Sequence, residues 1–114
     1  MFKALMLAQQ DKRTIATFTE LEDADLPDGD VTVRIDYSSL NYKDALAITG
    51  RGAIIKRWPL VPGIDLAGQV EHSTSADWKP GDRVVVNGWG MGETFWGGMA
   101  QKARLQAPWL LRLP

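Results

Sequence analysis

The chain has 114 residues, 45% of them hydrophobic, with 13 basic and 14 acidic side chains for a formal net charge of −1, and it contains no cysteine. That length provides for one domain with its own core and no second one, and the balanced charge excludes a field that would gather nucleic acid or an anionic membrane surface. The missing cysteines exclude disulfides, thiolate catalysis and cysteinyl metal sites, and no apolar run reaches the roughly 20 residues of a membrane span or the pattern of a signal peptide, so we expect a soluble protein of the reducing cytoplasm.

Taken in order, Phe2 to Leu7 predicts an opening strand, Gln9 to Lys12 its turn, and Thr14 to Thr19 a returning strand. Glu20 to Asp30 carries six acidic residues with Pro27 and Gly29 and predicts a solvated loop. From Asp30 to Tyr37, Val31, Val33, Ile35 and Tyr37 alternate with polar residues, the period of a half-buried strand. The period then changes. Asn41 suits a helix N-cap, Asp44 a first-turn acid, and Gly50 a left-handed stop, which predicts a helix of about two turns. Asn41 is either only a cap or also a functional amide. Tyr42 beside Lys43 is a candidate proton-donor pair, against the plainer reading of local hydrogen bonding.

Arg51, Lys56 and Arg57 form a basic group broken by Ile54 and Ile55 and closed by Trp58, Pro59 and Pro62. It reads as an exposed loop or as an electrostatic lip for an anionic substrate such as a phosphate-bearing thioester. Pro62 to Asp65 is a turn feeding a strand from Leu66 to Glu71, with Leu66, Gly68 and Val70 on one face. Asp65, between Ile64 and Leu66, predicts a partly buried carboxylate that needs a partner, structural or functional. His72 is the only histidine and cannot assemble a zinc site, so we expect no metal.

Lys79 to Asp82 has turn chemistry, and Val84, Val85 and Val86 predict a strand buried on both faces. The segment from Gly88 to Gly98 is rich in glycine but fails the dinucleotide fingerprint: counting from Gly88, the sixth place is Glu93 and no helix pattern follows. Its glycines with Trp89, Phe95 and Trp96 read as a barrel corner or a pocket lip. Met99 to Leu105 and Trp109 to Leu113 predict closing strands. The whole is mainly β, a small barrel or sandwich with one or two short helices.

Four separated segments, SSLNYKDALAITGRG from Ser38, PLVPGIDLAGQV from Pro59, PGDRVVVNGWGMGE from Pro80 and WGGMAQKARL from Trp96, resemble the N-terminal part of the zinc-free medium-chain reductases. The similarity is greatest to the acrylyl-CoA reductase and quinone oxidoreductase group. It implies a partly open GroES-like barrel over residues 1–114, and a family partner domain of the Rossmann type that this chain does not contain. It further implies NADPH as cofactor, a small-molecule substrate, an enoyl-CoA or a quinone, and a homodimeric parent. In the related zinc enzymes the Pro62 to Asp65 turn holds a metal ligand; here no cysteine or histidine completes such a set.

The resemblance implies hydride transfer to an activated carbon–carbon double bond, with Asn41, Tyr42 and Asp65 catalytic, Asn41, Tyr42 and Lys43 at the nicotinamide edge, and Trp89 toward the substrate; Arg51 and Arg57, the basic lip described above, are expected on the substrate side as well. Because the main cofactor-binding domain is outside this chain, the 114 residues alone are expected to be inactive. A non-enzymatic binding module or chaperonin cofactor on the same barrel is the other class of reading. A single-stranded nucleic-acid barrel would need basic residues tracking a groove, which the charge balance disfavours.

Overall fold

A computed structural model describes residues 1–114. The chain opens with strands β1 (Phe2–Gln10) and β2 (Arg13–Leu21), an antiparallel hairpin in which Phe2 faces Leu21 and Gln10 faces Arg13. Asp11 and Lys12, at φ 51° and 65°, make the two-residue reversal, the mirror-image turn whose twist suits paired strands. Both strands run past the bounds the sequence suggests, because ladder pairing continues through polar residues that have no apolar alternation to announce them.

Phe2 and Ala4 bury one face of β1 and Leu7 the opposite face, while β2 is largely exposed, Phe18 at 86%. Leu7 exchanges backbone hydrogen bonds with Leu60 at 2.7 and 2.9 Å, and Leu5 donates to the Met99 carbonyl at 3.0 Å, which fastens the hairpin to the body.

The body is a five-stranded antiparallel sheet. Its strands are β3 (Val31–Tyr37), β4 (Asp65–Ser73), β5 (Arg83–Asn87), β6 (Lys102–Leu105) and β7 (Leu111–Arg112), in spatial order β6-β3-β4-β5-β7. Val31 and Val33, Leu66 and Val70, Val84 and Val86, and Ala103 and Leu105 close the main core with Trp78, Met91 and Leu110. Gly68 stands where β4 crosses Arg34: a Cβ there would run into the Arg34 carbonyl, beside the register shift between Ile35 and Tyr37. The two sheets are joined by isolated bridges and do not close into a complete barrel.

Three expectations are corrected. Val84 and Val86 are fully buried but Val85 is only half-buried, because β5 lies in an antiparallel sheet with one open face. The last stretch is a 3-10 turn at Ala107–Trp109 followed by a two-residue β7, Pro108 having no amide to give a ladder. The acidic stretch is also more structured than a solvated loop: a 3-10 turn spans Asp23–Asp25, Leu26 is buried, and Asp30 Oδ1 accepts the Ala107 amide at 2.7 Å. No helix is long and apolar enough to cross a membrane.

Candidate active site

The one α-helix, α1 (Tyr42–Thr49), starts where β3 ends, and the short link between them sits against the first residue of β4. Asn41 caps α1, with Asp44 reaching back from the third helical position to the Asn41 amide at 3.0 Å; Gly50 at φ 72° stops the helix. Eight residues are too few to hold a helix alone. Ala47 is fully buried and Asp44 is 1% exposed, so tertiary contacts and the cap fix the helix start.

Around that start lies a small polar network. Asp65 Oδ1 accepts the Ser39 amide at 2.9 Å and Oδ2 accepts the Ser39 hydroxyl. The Asn41 side-chain amide is within 3.2 Å of Ser39 Oγ, 3.2 Å of Asp44 Oδ2 and 3.4 Å of Asp65 Oδ2, so it bridges two carboxylates. Burial of Asp65 opposes its charge, but the bonds from the Ser39 hydroxyl, the Ser39 amide and Asn41 outweigh it and hold the carboxyl below its usual range. Asp65 therefore stays ionised near neutral pH and acts as an acceptor and anchor, not as a proton donor.

Asp65 opens onto a cleft of about 280 Å³ lined by Tyr37, Ser39, Leu66, Ala67, Val85 and Asn87, among others. Tyr42, the first residue of α1 and next in the chain to Asn41, does not line this cleft; it is 80% exposed, and its hydroxyl has no hydrogen-bond partner in the chain. Tyr37 and Leu40 are exposed beside it, which leaves a wet apolar border around the network.

Lys43 does not pair with Tyr42. Its ammonium binds Glu93 at 2.7 Å, tying the start of α1 to the glycine-rich loop. That bond, opposed by burial and aided by the charges of Lys43 and Lys56, holds the Glu93 carboxyl below its usual range. Trp89, at φ 60°, is 57% exposed and stacks on Trp109 with centroids 6.2 Å apart and planes 16° apart; Phe95 tilts against the same ring at 5.1 Å. The Arg57 guanidinium lies 5.9 Å from the Phe95 centroid. Arg51 is elsewhere, lining a different cavity at the C-terminal end of α1. Asn41, Asp65 and Tyr42 are thus brought to one place, Lys43 adjoins them through Glu93, Arg57 and Trp89 belong to an aromatic patch, and Arg51 is separate from both.

Ser39 and Asp44 are the residues that sequence reasoning undervalued. The signal available was local for Asp44, an acid three places after an N-cap, and absent for Ser39, whose partner is 26 residues away. No three histidine, cysteine, aspartate or glutamate side chains are grouped as a metal site would require, and His72 is exposed on β4 opposite Thr32.

The family described as the alcohol dehydrogenase GroES-like domain matches residues 27–114. The acrylyl-CoA reductase AcuI of Ruegeria pomeroyi is 47% identical over 116 residues, covering 100% of this chain and 35% of that protein. A Bacillus subtilis protein, YhfP, whose curated name places it provisionally among the quinone oxidoreductases, is 32% identical over 114 residues, covering 100% and 34%. The crystal structure of the YhdH oxidoreductase from Salmonella enterica in complex with NADP superposes with a TM-score of 0.95 at 53% identity, covering 98% of this chain and 35% of that one. The chain therefore spans about a third of the length of these relatives.

Proposed function

Because the chain belongs to the alcohol dehydrogenase GroES-like domain family, we propose that it is the substrate-side domain of an NADPH-dependent reductase acting on an activated carbon–carbon double bond, an enoyl thioester such as acrylyl-CoA. The observation that carries this reading is the polar network at the start of α1, with the unpartnered Tyr42 next in the chain to Asn41, in a chain so similar to the acrylyl-CoA reductase of Ruegeria pomeroyi.

The residues fit the nicotinamide end of such a cofactor and not its pyrophosphate. A free phenol and an apolar border suit a flat, weakly polar ring. The glycine-rich loop offers little to a phosphate, because the amides of Gly88, Met91, Gly92, Glu93, Thr94, Phe95, Gly97 and Gly98 all donate within the protein. When bound, NADPH supplies the hydride that goes to the β-carbon, and a proton joins the α-carbon.

The chain's own part is to place and shelter the alkene. Asp65, held ionised by Ser39 and Asn41, fixes the link between β3 and α1 and with it the backbone position from which Tyr42 projects. Tyr42 Oη then donates a hydrogen bond toward the cofactor edge or the developing enolate, where a donor is worth more in the transition state than in the ground state. Lys43 and Glu93 hold the aromatic loop against the helix start, and the cleft below Tyr37 gives the acyl group a partly dry wall.

A quinone substrate is the second reading, supported by the exposed Trp89, stacked on the half-buried Trp109, which would take a planar ring, and by the likeness to YhfP. Steady-state assay of the full-length parent with NADPH decides between them. The thioester reading expects a higher kcat/KM for acrylyl-CoA than for any simple quinone, and the reverse order would replace it with the second.

A further inference from the structure

At the far end of α1 from the polar network is a cavity of about 330 Å³ between the hairpin tip and the loop after the helix, lined by Gln9, Lys12, Thr14, Arg51, Ile55 and Trp58 together with Gly50, Gly52 and two alanines. Its charged lining is entirely cationic, in a chain whose net charge is −1. Neither Lys12 nor Arg51 forms a salt bridge. The backbone amides of Gly52, Ala53, Ile54 and Ile55 donate to no acceptor in the protein. Two unpaired cations, with unbonded backbone amides at the lining residues Gly52, Ala53 and Ile55, are the parts of an anion site.

The helix end itself would repel an anion, its dipole being negative there. That repulsion is blunted, since the Gly50 and Arg51 amides already cap the Ala47 and Leu46 carbonyls at 3.3 and 3.1 Å. Trp58 and Ile55 add an apolar wall of the kind that takes a purine face. The geometry points to a site for a phosphorylated adenosine. We propose that it receives the 3′-phosphoadenosine end of a coenzyme A thioester, with Lys12 and Arg51 on the phosphate and Trp58 against the base.

The thioester identity rests on the function proposed above. The helix is eight residues long, so about 12 Å separates the cavity from the network, a span that the pantetheine arm of such a ligand covers. The 2′-phosphate of NADPH has the same chemistry and is the rival source.

The test is calorimetric binding to the 114-residue chain of four probes: coenzyme A, dephospho-coenzyme A, adenosine 3′,5′-bisphosphate and NADPH. Coenzyme A and the bisphosphate should bind, dephospho-coenzyme A about tenfold more weakly, and Lys12→Asn with Arg51→Ala should cost each of the first two about tenfold or more. Asparagine tolerates the left-handed backbone of residue 12, so the loss is of charge and not of the turn. If that double variant fails to fold by circular dichroism, Arg51→Lys and Arg51→Gln decide, the first expected to retain binding and the second to lose it. No coenzyme A binding at millimolar concentration, or binding indifferent to both substitutions, overturns the proposal, and tighter binding of NADPH than of coenzyme A reassigns the site to the dinucleotide. These measurements involve no turnover, so the site can fail while the reductase reading stands, and the assay on acrylyl-CoA can fail while the site stands.

Discussion

Asp65 and Ser39 are joined twice: the Ser39 amide donates to Oδ1 at 2.9 Å and the Ser39 hydroxyl to Oδ2. The pair welds the end of β3 to the start of β4 at the point where the chain turns into α1. Burial disfavours the Asp65 charge, yet the bonds from Ser39 and Asn41 prevail and lower its pKa. A group whose pKa is lower folded than unfolded stabilises the fold above its unfolded value, about 3.9, and that contribution is lost as pH falls through the folded value. Asp65→Asn should therefore lower stability at pH 7 by about 1–3 kcal/mol, and should flatten the decline of Tm below pH 4. An unchanged Tm at pH 7 together with an unchanged acid limb would remove Asp65 from this role.

Gly97 should be irreplaceable for a steric reason. A Cβ there meets the carbonyl oxygens of Gly63 and Pro62, and the backbone cannot give way because the Gly97 amide bonds Val61 at 2.7 Å and the Met99 amide bonds Pro62 at 3.0 Å. Gly97→Ala is expected to cost about 3 kcal/mol, the upper range for forced overpacking. Gly81→Ala makes a useful contrast: the space around it is open, and only its φ of 94° resists a side chain, at about 1–2 kcal/mol. Equal costs by denaturant titration would show that crowding at the Pro62 to Gly63 turn is not what demands glycine.

Much of this architecture was legible from local pattern. The alternation through Val31, Val33 and Ile35 marks β3, and Asn41, Asp44 and Gly50 mark both ends of α1, because caps and alternation act between neighbours in sequence. What was not legible depends on contacts across the chain. A run of three valines cannot say that the face of Val85 stays open, since that depends on what covers the sheet. Nor can spacing say that Lys43 turns to Glu93 instead of Tyr42, or that Arg51 and Arg57, six residues apart, leave in different directions. Asp65 was recognisable as a carboxylate in need of a partner; that its partner is Ser39 follows only from the folded link.

Tyr42→Phe tests the catalytic reading without disturbing the fold. The hydroxyl is exposed and makes no hydrogen bond in the chain, so Tm should stay within about 0.5 kcal/mol equivalent of the parent. In a full-length reductase kcat should fall, by a factor of about 5 if one hydrogen bond is lost at about 1 kcal/mol, and further if the phenol delivers a proton. Unchanged kcat and KM would reduce Tyr42 to a bystander at the helix start.

The Lys43 to Glu93 bond at 2.7 Å should make a small, pH-dependent contribution. The Glu93 pKa is lowered chiefly by the hydrogen bond from Lys43, against burial, so its contribution exists above the unfolded glutamate value of about 4.3 and is lost as pH falls through the folded value. Glu93→Gln should cost about 0.5–1 kcal/mol at pH 7, as suits a half-exposed pair, and the difference from the parent should shrink below pH 4. A difference that persists undiminished at pH 3 would mean that Glu93 matters through packing and not through charge.

The 114 residues by themselves should bind NADPH weakly and should not reduce acrylyl-CoA above background. Dinucleotides are normally held by a glycine-rich turn between a strand and a helix, with the pyrophosphate on the helix N-terminus. Here the glycine-rich stretch follows β5, but no helix follows it, and eight of its amides are already spent on internal bonds. Tyr42 and its neighbours can meet only the nicotinamide end, and one end of a flexible ligand leaves most of the ordering cost unrecovered. A nucleotide-binding domain from a full-length relative, fused or added in trans, should restore turnover if the two parts rebuild the cleft beside Asp65. Calorimetry with NADPH, run beside a spectrophotometric assay of NADPH oxidation on the same preparation, checks both halves. Micromolar affinity for NADPH, with Tyr42→Ala leaving it unchanged, would show that this barrel carries a dinucleotide site away from the start of α1.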